Sequence, residues 1–413
     1  MAIKAGQILH DVNGFVVDRI QTGGVSNLNI PEEKVYELGN YETVATVIDI
    51  PELSFDMESL DVSTETEALL TGQDPATIAD GDEIDLFNQV PIDVVSPFKI
   101  RQNQYTIEKG IVVPYLTLES ATYRFGVRQN STQSFTLRGD SVYYTPGAPF
   151  YEEFTITAGT NQVYTLTNTA TVYVESGENL YVLGLCAYNP STYAYKRLFI
   201  TQDYTNTSTQ FTTLANLSTQ GYTVLRAVYG TAASITYPQV GNNPSGNVVH
   251  EGNSVKPAAV RGKDIDVYMA TADATTVFNR WTGVQSIEVS RRINLENDEE
   301  LGNYKYVSSD FDTQEVTGSI TVKSVDADDL WEKIAQIADV STAEVAGPFT
   351  RTPIPLEIRI SNPDTGDVVK TLYVPDAKFT LPSVQGRVQT KLEVTFNFSS
   401  DTGQFFIYRG LRP

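Results

Sequence analysis

The stretch Glu37-Leu38-Gly39-Asn40-Tyr41, inside VYELGNYETV, returns as Glu300-Leu301-Gly302-Asn303-Tyr304, inside DEELGNYKYV, 300 − 37 = 263 residues later. Five letters alone prove little, so the test is whether the flanks follow. At the same offset Val44 falls on Val307, Asp49 on Asp312, Glu52 on Glu315, Leu53 on Val316 and Ser54 on Thr317. Upstream, GVSNLNI (24–30) lies over GVQSIEV (283–289), with the second copy four residues longer before its pentapeptide. Downstream, VVPYLTL (112–118) lies near YVPDAKF (373–379), and SFTLRGD (134–140) corresponds to VTFNFSSD (394–401). Order is kept throughout, which is the mark of a duplicated domain.

Both copies alternate with period two, the pattern of half-buried strands. In ELSFDMES, Leu53, Phe55 and Met57 point one way, and Glu52, Ser54, Asp56 and Glu58 the other. The second copy sets Val316, Ile320 and Val322 against Glu315, Thr317, Ser319 and Thr321. Near the C-terminus Leu392, Val394, Phe396 and Phe398 alternate with Lys391, Glu393, Thr395 and Asn397. Each sheet therefore has one apolar face for a core and one wet face. A short helix is expected after this strand in each copy. In the first, Thr64 and Glu67 have capping-box spacing and Gly72 can end the turn. In the second, DADDLWEKIAQIA (326–338) puts Leu330, Ile334 and Ile337 on one stripe.

Between the copies lies a segment rich in Thr, Tyr, Ser and Asn, with strand-like runs at TATVYVESGENLYVLGLCAYN and YTVLRAVYGTAASITYPQV. QVGNNPSGNVVHEGNS has the Gly, Asn and Pro density of a linker. The expected organisation is mainly β, with a first repeat over 1–145, an intervening β-rich domain and linker over 146–257, and a second repeat over 258–413.

Composition narrows the function classes. Hydrophobic residues make up 41% and charged ones 19% of 413, a globular balance with material for more than one core. The single Cys186 cannot form an internal disulfide, and no run approaches a membrane span. The opening MAIKAGQILHDVNG lacks the apolar core of a signal peptide, so no standard export is expected. A net charge of −22 argues against a tight grip on nucleic acid, which needs Lys and Arg, though not against nucleic acid passing nearby.

Catalysis finds little footing, and no cofactor or metal is expected. The two histidines, His10 and His250, have no neighbouring Cys or His at metal-ligand spacing and read as solvated loop residues. No nucleophile elbow or phosphate loop occurs. Cys186 sits in an apolar run and reads as a buried thiol. The acidic clusters at 79–85 and 295–301 do not fit a calcium loop.

The residues quoted above, with YELGNYETV, DIPELSFDMESLDV and YLTLESATYRFGVRQNSTQSFTLRGD, resemble the tail tube proteins of long-tailed bacteriophages and related viruses. The resemblance covers both copies and leaves 146–257 unexplained. It implies two tail-tube β-sandwich or barrel domains, each flanked by a short helix, assembling with other copies into stacked trimeric, pseudo-hexameric rings around a DNA channel. It places Glu37, Gly39, Asn40 and Tyr41, and Glu300, Gly302, Asn303 and Tyr304, in loops used between rings. Glu52, Asp56, Glu58 and Glu315 are the candidates for the channel wall, because an acidic wall repels DNA and lets it slide. The implied partners are further copies of the chain, other tail components such as tape measure, terminator and baseplate, and transiting viral DNA, with no membrane. The implied location is the virion tail, assembled in the host cytoplasm. The rival readings are a hub, baseplate or terminator ring of the same fold, and a β-sandwich adhesion module.

Overall fold

The computed structural model describes residues 10–17, 20–36, 43–60, 63–84, 86–99, 106–175, 178–231, 235–236, 241–242, 260–271, 274–301, 303–323, 353–380 and 393–413. The protein is mainly β. In the first repeat the principal strands include β1 (Ile20–Asn29), β2 (Glu52–Ser59), β3 (Glu83–Ile84), β4 (Ile92–Lys99), β5 (Thr106–Gly126), β6 (Thr132–Gly139) and β7 (Tyr143–Thr145), with helix α1 (Glu65–Leu70) between β2 and β3. The intervening segment contributes β8 (Pro149–Thr155), β9 (Gly184–Tyr188), β10 (Tyr195–Arg197) and β11 (Val224–Gly230). The second repeat contributes β12 (Ile265–Thr271), β13 (Val284–Asp298), β14 (Ser308–Lys323), β15 (Ile354–Ser361), β16 (Val368–Thr380), β17 (Glu393–Ser400) and β18 (Phe406–Arg409).

The main sheets of the two repeats match strand for strand. The antiparallel order β1-β2-β6-β5 in the first becomes β13-β14-β17-β16 in the second. Register agrees as well as order: Met57 faces Phe135 where Ile320 faces Phe396, and Leu118 faces Leu137 where Phe379 faces Phe398. The hairpin bulge also recurs, between Ile92 and Val94 against β5 and between Ile354 and Leu356 against β16. Long β5 links two layers. Its second half pairs with β6, while its first half pairs with β4 and β7. At the bend Tyr115 adopts φ 61°, a left-handed conformation that costs strain, and its N–H donates to the Asp93 carboxylate at 3.0 Å.

The alternation in ELSFDMES holds, with Leu53, Phe55 and Met57 buried and Glu52 and Asp56 exposed. One core runs through both repeats, from Val12, Phe55 and Phe135 to Val316, Phe396 and Ile407. Volume is exchanged inside it between neighbouring strands. Phe55 faces Leu137 in the first repeat, and the same two sites hold Gly318 and Phe398 in the second. A Cβ on Gly318 would lie 2.3 Å from the Phe398 ring and 2.4 Å from the Glu288 carbonyl oxygen, so glycine is what admits the larger ring.

Two expectations need correction. Thr64 is the N-cap of α1, yet its side chain makes no cap hydrogen bond, and Glu67 turns into the core instead of back to the helix end. Gly72 does end the turn, at φ 72°. His10 is not a solvated loop residue. It is buried beside the short strand Asp11–Val12, with Nδ1 2.9 Å from Ser96 Oγ and its ring edge-on to Phe55, and burial lowers its pKa to about 4. The expected second helix at 326–338 and His250 lie outside the described residues.

The intervening segment has a core of its own, centred on Leu185, Phe211, Leu225 and Tyr229, which also takes in Val95 of β4 and Val112 of β5. Its sheet runs β10-β9-β11-β8. Cys186 lies buried in β9, and burial pushes its thiol up to about 12.

Candidate assembly interface

The two repeats meet strand to strand. Residues 120–126 of β5 pair antiparallel with residues 286–292 of β13, so the two four-stranded sheets become one run of eight: β1-β2-β6-β5-β13-β14-β17-β16. Pairing satisfies backbone groups that an open sheet edge would leave bare. On the apolar side Ala121, Tyr123 and Phe125 are buried with Ile287 and Val289. On the wet side Thr122 Oγ1 and Ser290 Oγ lie 2.9 Å apart, and Arg124 pairs with Glu288 at 3.1 Å.

Behind the sheet, two further elements of the second repeat reach the first. Lys370 of β16 forms an ion pair with Glu67 of α1, with neither side chain exposed. The same ammonium donates to the Ser63 carbonyl at 3.2 Å and Gln133 Oε1 at 3.0 Å, and Tyr123 OH donates to Glu67 at 2.9 Å. Glu67 Oε2 and Gln133 Nε2 find no hydrogen-bond partner among the described residues, and a buried charge pair of this kind adds little net stability over an apolar pair while costing much if one partner is removed. β18 pairs with β3, placing Ile407 opposite Ile84, and the Arg409 guanidinium donates to the Ile78 carbonyl at 2.7 Å.

The intervening module grips both repeats through one side chain. Arg197 of β10 makes a two-pronged ion pair with Asp140, at 2.5 and 3.0 Å, and donates to the Tyr306 carbonyl at 3.0 Å. The Tyr306 N–H donates to the same Asp140 carboxylate. Burial alone would raise the Asp140 carboxyl, but the Arg197 guanidinium outweighs it and holds it below its ordinary value. Nearby, Tyr195 OH donates to the Ser309 carbonyl at 2.5 Å and accepts from its N–H at 3.1 Å. Deeper in the same joint Arg226 is fully buried with its guanidinium 4.0 Å above the Tyr188 ring, in register with Glu153 and Cys186.

The residues expected from the sequence fall in two groups. Glu52, Asp56 and Glu58 line the wet side of β2, and Glu315 takes the place of Glu52 on β14, so all four share one side of the eight-stranded run. None of them enters an ion pair among the described residues, whereas Glu119 and Glu288 on the same side are paired with Arg138 and Arg124. Of the loop residues, Glu300, Asn303 and Tyr304 lie in the turn between β13 and β14. There Asn303 Nδ2 donates to Glu300 at 2.9 Å, and Gln202 of the intervening module donates to Asn303 Oδ1 at 3.1 Å. Leu301 and Tyr304 are exposed at its tip. Glu37, Gly39, Asn40, Tyr41 and Gly302 lie outside the described residues.

The bolts Lys370–Glu67 and Asp140–Arg197 were not anticipated. One signal for the first was available: the repeats read Lys109-Gly-Ile-Val-Val-Pro114 and Lys370-Thr-Leu-Tyr-Val-Pro375, with a lysine kept at the same distance before a shared Val-Pro. Among the described residues no group of three His, Cys, Asp or Glu side chains is placed to hold a metal ion.

No protein-family model matches the chain, and no curated protein matches it. Among solved structures it is similar to a chain from the tail of an empty GTA particle, computed with helical refinement in C6 symmetry. The identity is 16% and the TM-score 0.25, over 35% of this chain and 96% of that one.

Proposed function

We propose that this protein is a structural subunit of a phage-type tail tube, three copies of which close into a pseudo-hexameric ring, with rings stacking around a channel for DNA. The observation that carries this reading is the β5–β13 joint. Two equivalent units are already fused edge to edge into eight strands, and three such chains supply 3 × 8 = 24 strands for a closed wall. A heterologous joint of this kind builds rings when its rotation closes. Closure would also remove the open edge that β1 presents. On this reading the subunit does no catalysis and binds no cofactor. Its partners are its own copies and the neighbouring tail components, and it works in the virion tail after assembly in the host cytoplasm.

The wet face that would line the channel carries Glu52, Asp56, Glu58 and Glu315. Duplex DNA bears roughly one negative charge per 1.7 Å of axis, so such a wall repels it and favours sliding over adhesion. The intervening module, gripping both repeats through Arg197, would lock the fused pair as one rigid third of the ring.

Electron microscopy of the purified chain over a concentration series tests the reading. Three-fold rings with six inner lobes, or tubes of them, are expected. Rings that never stack would point to a hub or terminator, and monomers at every concentration would overturn it.

A further inference from the structure

The second repeat meets the first through three features of one flank, and each has an equivalent in the first repeat. The outer edge of β13 is covered by β5, and its Ile287, Val289 and Arg291 are buried. By register their equivalents on β1 are Gly23, Val25 and Leu28, of which Gly23 is exposed, Val25 half-buried and Leu28 46% exposed. Lys370, opposite Ile360, is fully buried on Glu67; its equivalent is Lys109, opposite Phe98, and Lys109 is exposed. Ile407, opposite Leu372, is fully buried on β3; its equivalent is Tyr144, opposite Ile111, and Tyr144 is 71% exposed.

We propose that this flank of the first repeat, the β1 edge with Lys109 and Tyr144, is the docking surface for the second repeat of another copy of the chain. Lys109 is there buried against a partner carboxylate, as Lys370 is against Glu67. The inference rests on the ring reading and adds which surface closes the ring and which side chain selects the partner. Its ground is internal equivalence. Five positions, each buried when the flank is occupied within the chain, lose that cover where it is not: four are exposed and Val25 is half-buried. Of the two equivalent lysines, only Lys370 is paired with a carboxylate among the described residues. The lysine further excludes the wrong union. A flank that lacks a carboxylate at this point leaves the charge buried and unpaired, which disfavours it.

The experiment is amine acylation of the full-length wild-type chain, read by mass spectrometry, in dilute monomer and in assembled rings, together with assembly of Lys109→Glu. Lys109 is exposed in the single chain, so Lys109→Glu leaves the monomer's thermal unfolding within the small range of surface substitutions. The expected result is an acylation rate at Lys109 at least about tenfold lower in rings, and a concentration for half-assembly raised about a hundredfold or more in the variant, as for loss of one partner of a buried ion pair. Rings in which Lys109 reacts as in the monomer, or a variant that assembles like wild type, would overturn the docking surface and leave the ring reading standing. A wild-type chain that never associates would overturn both.

Discussion

Asp140 in the first repeat and Arg197 in the intervening module form a bidentate ion pair, and the same carboxylate accepts the backbone N–H of Tyr306 in the second repeat. Three parts of the chain therefore converge on one carboxylate. Asp140→Asn leaves the Arg197 charge buried without its counter-ion, at a cost of about 3–5 kcal/mol. Because the folded-state carboxyl is held below its ordinary 3.8, its contribution is present above that pH and lost as pH falls through the lower folded value. Urea midpoints measured from pH 7 downward should fall in the wild type below pH 4, and fall less in Asp140→Asn.

Lys370 and Glu67 call for a different comparison. Either Lys370→Met or Glu67→Leu alone strands a charge in the core and should destabilise by about 3–5 kcal/mol, whereas the double replacement should recover most of that loss. Thermal unfolding of the three variants yields the coupling directly. A double variant no more stable than the singles would mean that the Tyr123, Gln133 and Ser63 hydrogen bonds, and not the charge pair, hold the joint.

Asp11 behaves in the opposite sense to Asp140. It is fully buried opposite Val95, and neither carboxylate oxygen reaches a hydrogen-bond partner in good geometry among the described residues. Burial pushes its pKa up to about 7, against a weaker opposing pull from the Gly14 backbone N–H. The folded chain thus binds this proton more tightly than the unfolded chain, so stability falls as pH rises from 3.8 towards 7. The full effect is up to about 4 kcal/mol. Asp11→Asn should flatten the stability profile over that window, measured by urea unfolding at fixed salt.

What the sequence reveals here follows from what its periodicities encode. Leu53, Phe55 and Met57 betray their strand because period two and a buried face specify register, and duplicated registers align with each other. The matching of VVPYLTL with YVPDAKF holds to the residue, Val113 and Val374 each facing a valine or leucine across the hairpin. His10 was misread because the adjoining strand, Asp11–Val12, is two residues long and cannot show a period. Glu67 was misread because its spacing from Thr64 suits a capping box equally well, and the ammonium that draws it inward stands 370 − 67 = 303 residues away. Long-range charge partners leave no local pattern.

The exchange of volume between Phe55–Leu137 and Gly318–Phe398 predicts a compensating pair. Gly318→Ala puts a methyl 2.4 Å from the Glu288 carbonyl oxygen as well as against the Phe398 ring, and should cost about 1–3 kcal/mol. Adding Phe398→Leu relieves the ring clash but not the backbone one, so rescue should be partial. Full recovery in the double variant, by chemical denaturation, would show that the backbone of β13 yields easily at Glu288.

The last prediction concerns the wet face. Glu52, Asp56 and Glu58 point away from the core and take part in no ion pair among the described residues, so their replacement by Lys breaks no ion pair there and should change stability little. Three substitutions in each of three chains would shift a ring by 3 × 3 × 2 = 18 charges, turning a repelling wall into one that holds phosphate. Under the proposed function, virus carrying Glu52→Lys, Asp56→Lys and Glu58→Lys should build tails of normal length yet eject DNA slowly, with the delay shrinking as salt rises, because phosphate binding by lysine is salt-dependent. Wild-type ejection kinetics at low salt would place these acids on the outside of the tube, and the channel wall would then have to be sought on another face of the sheet.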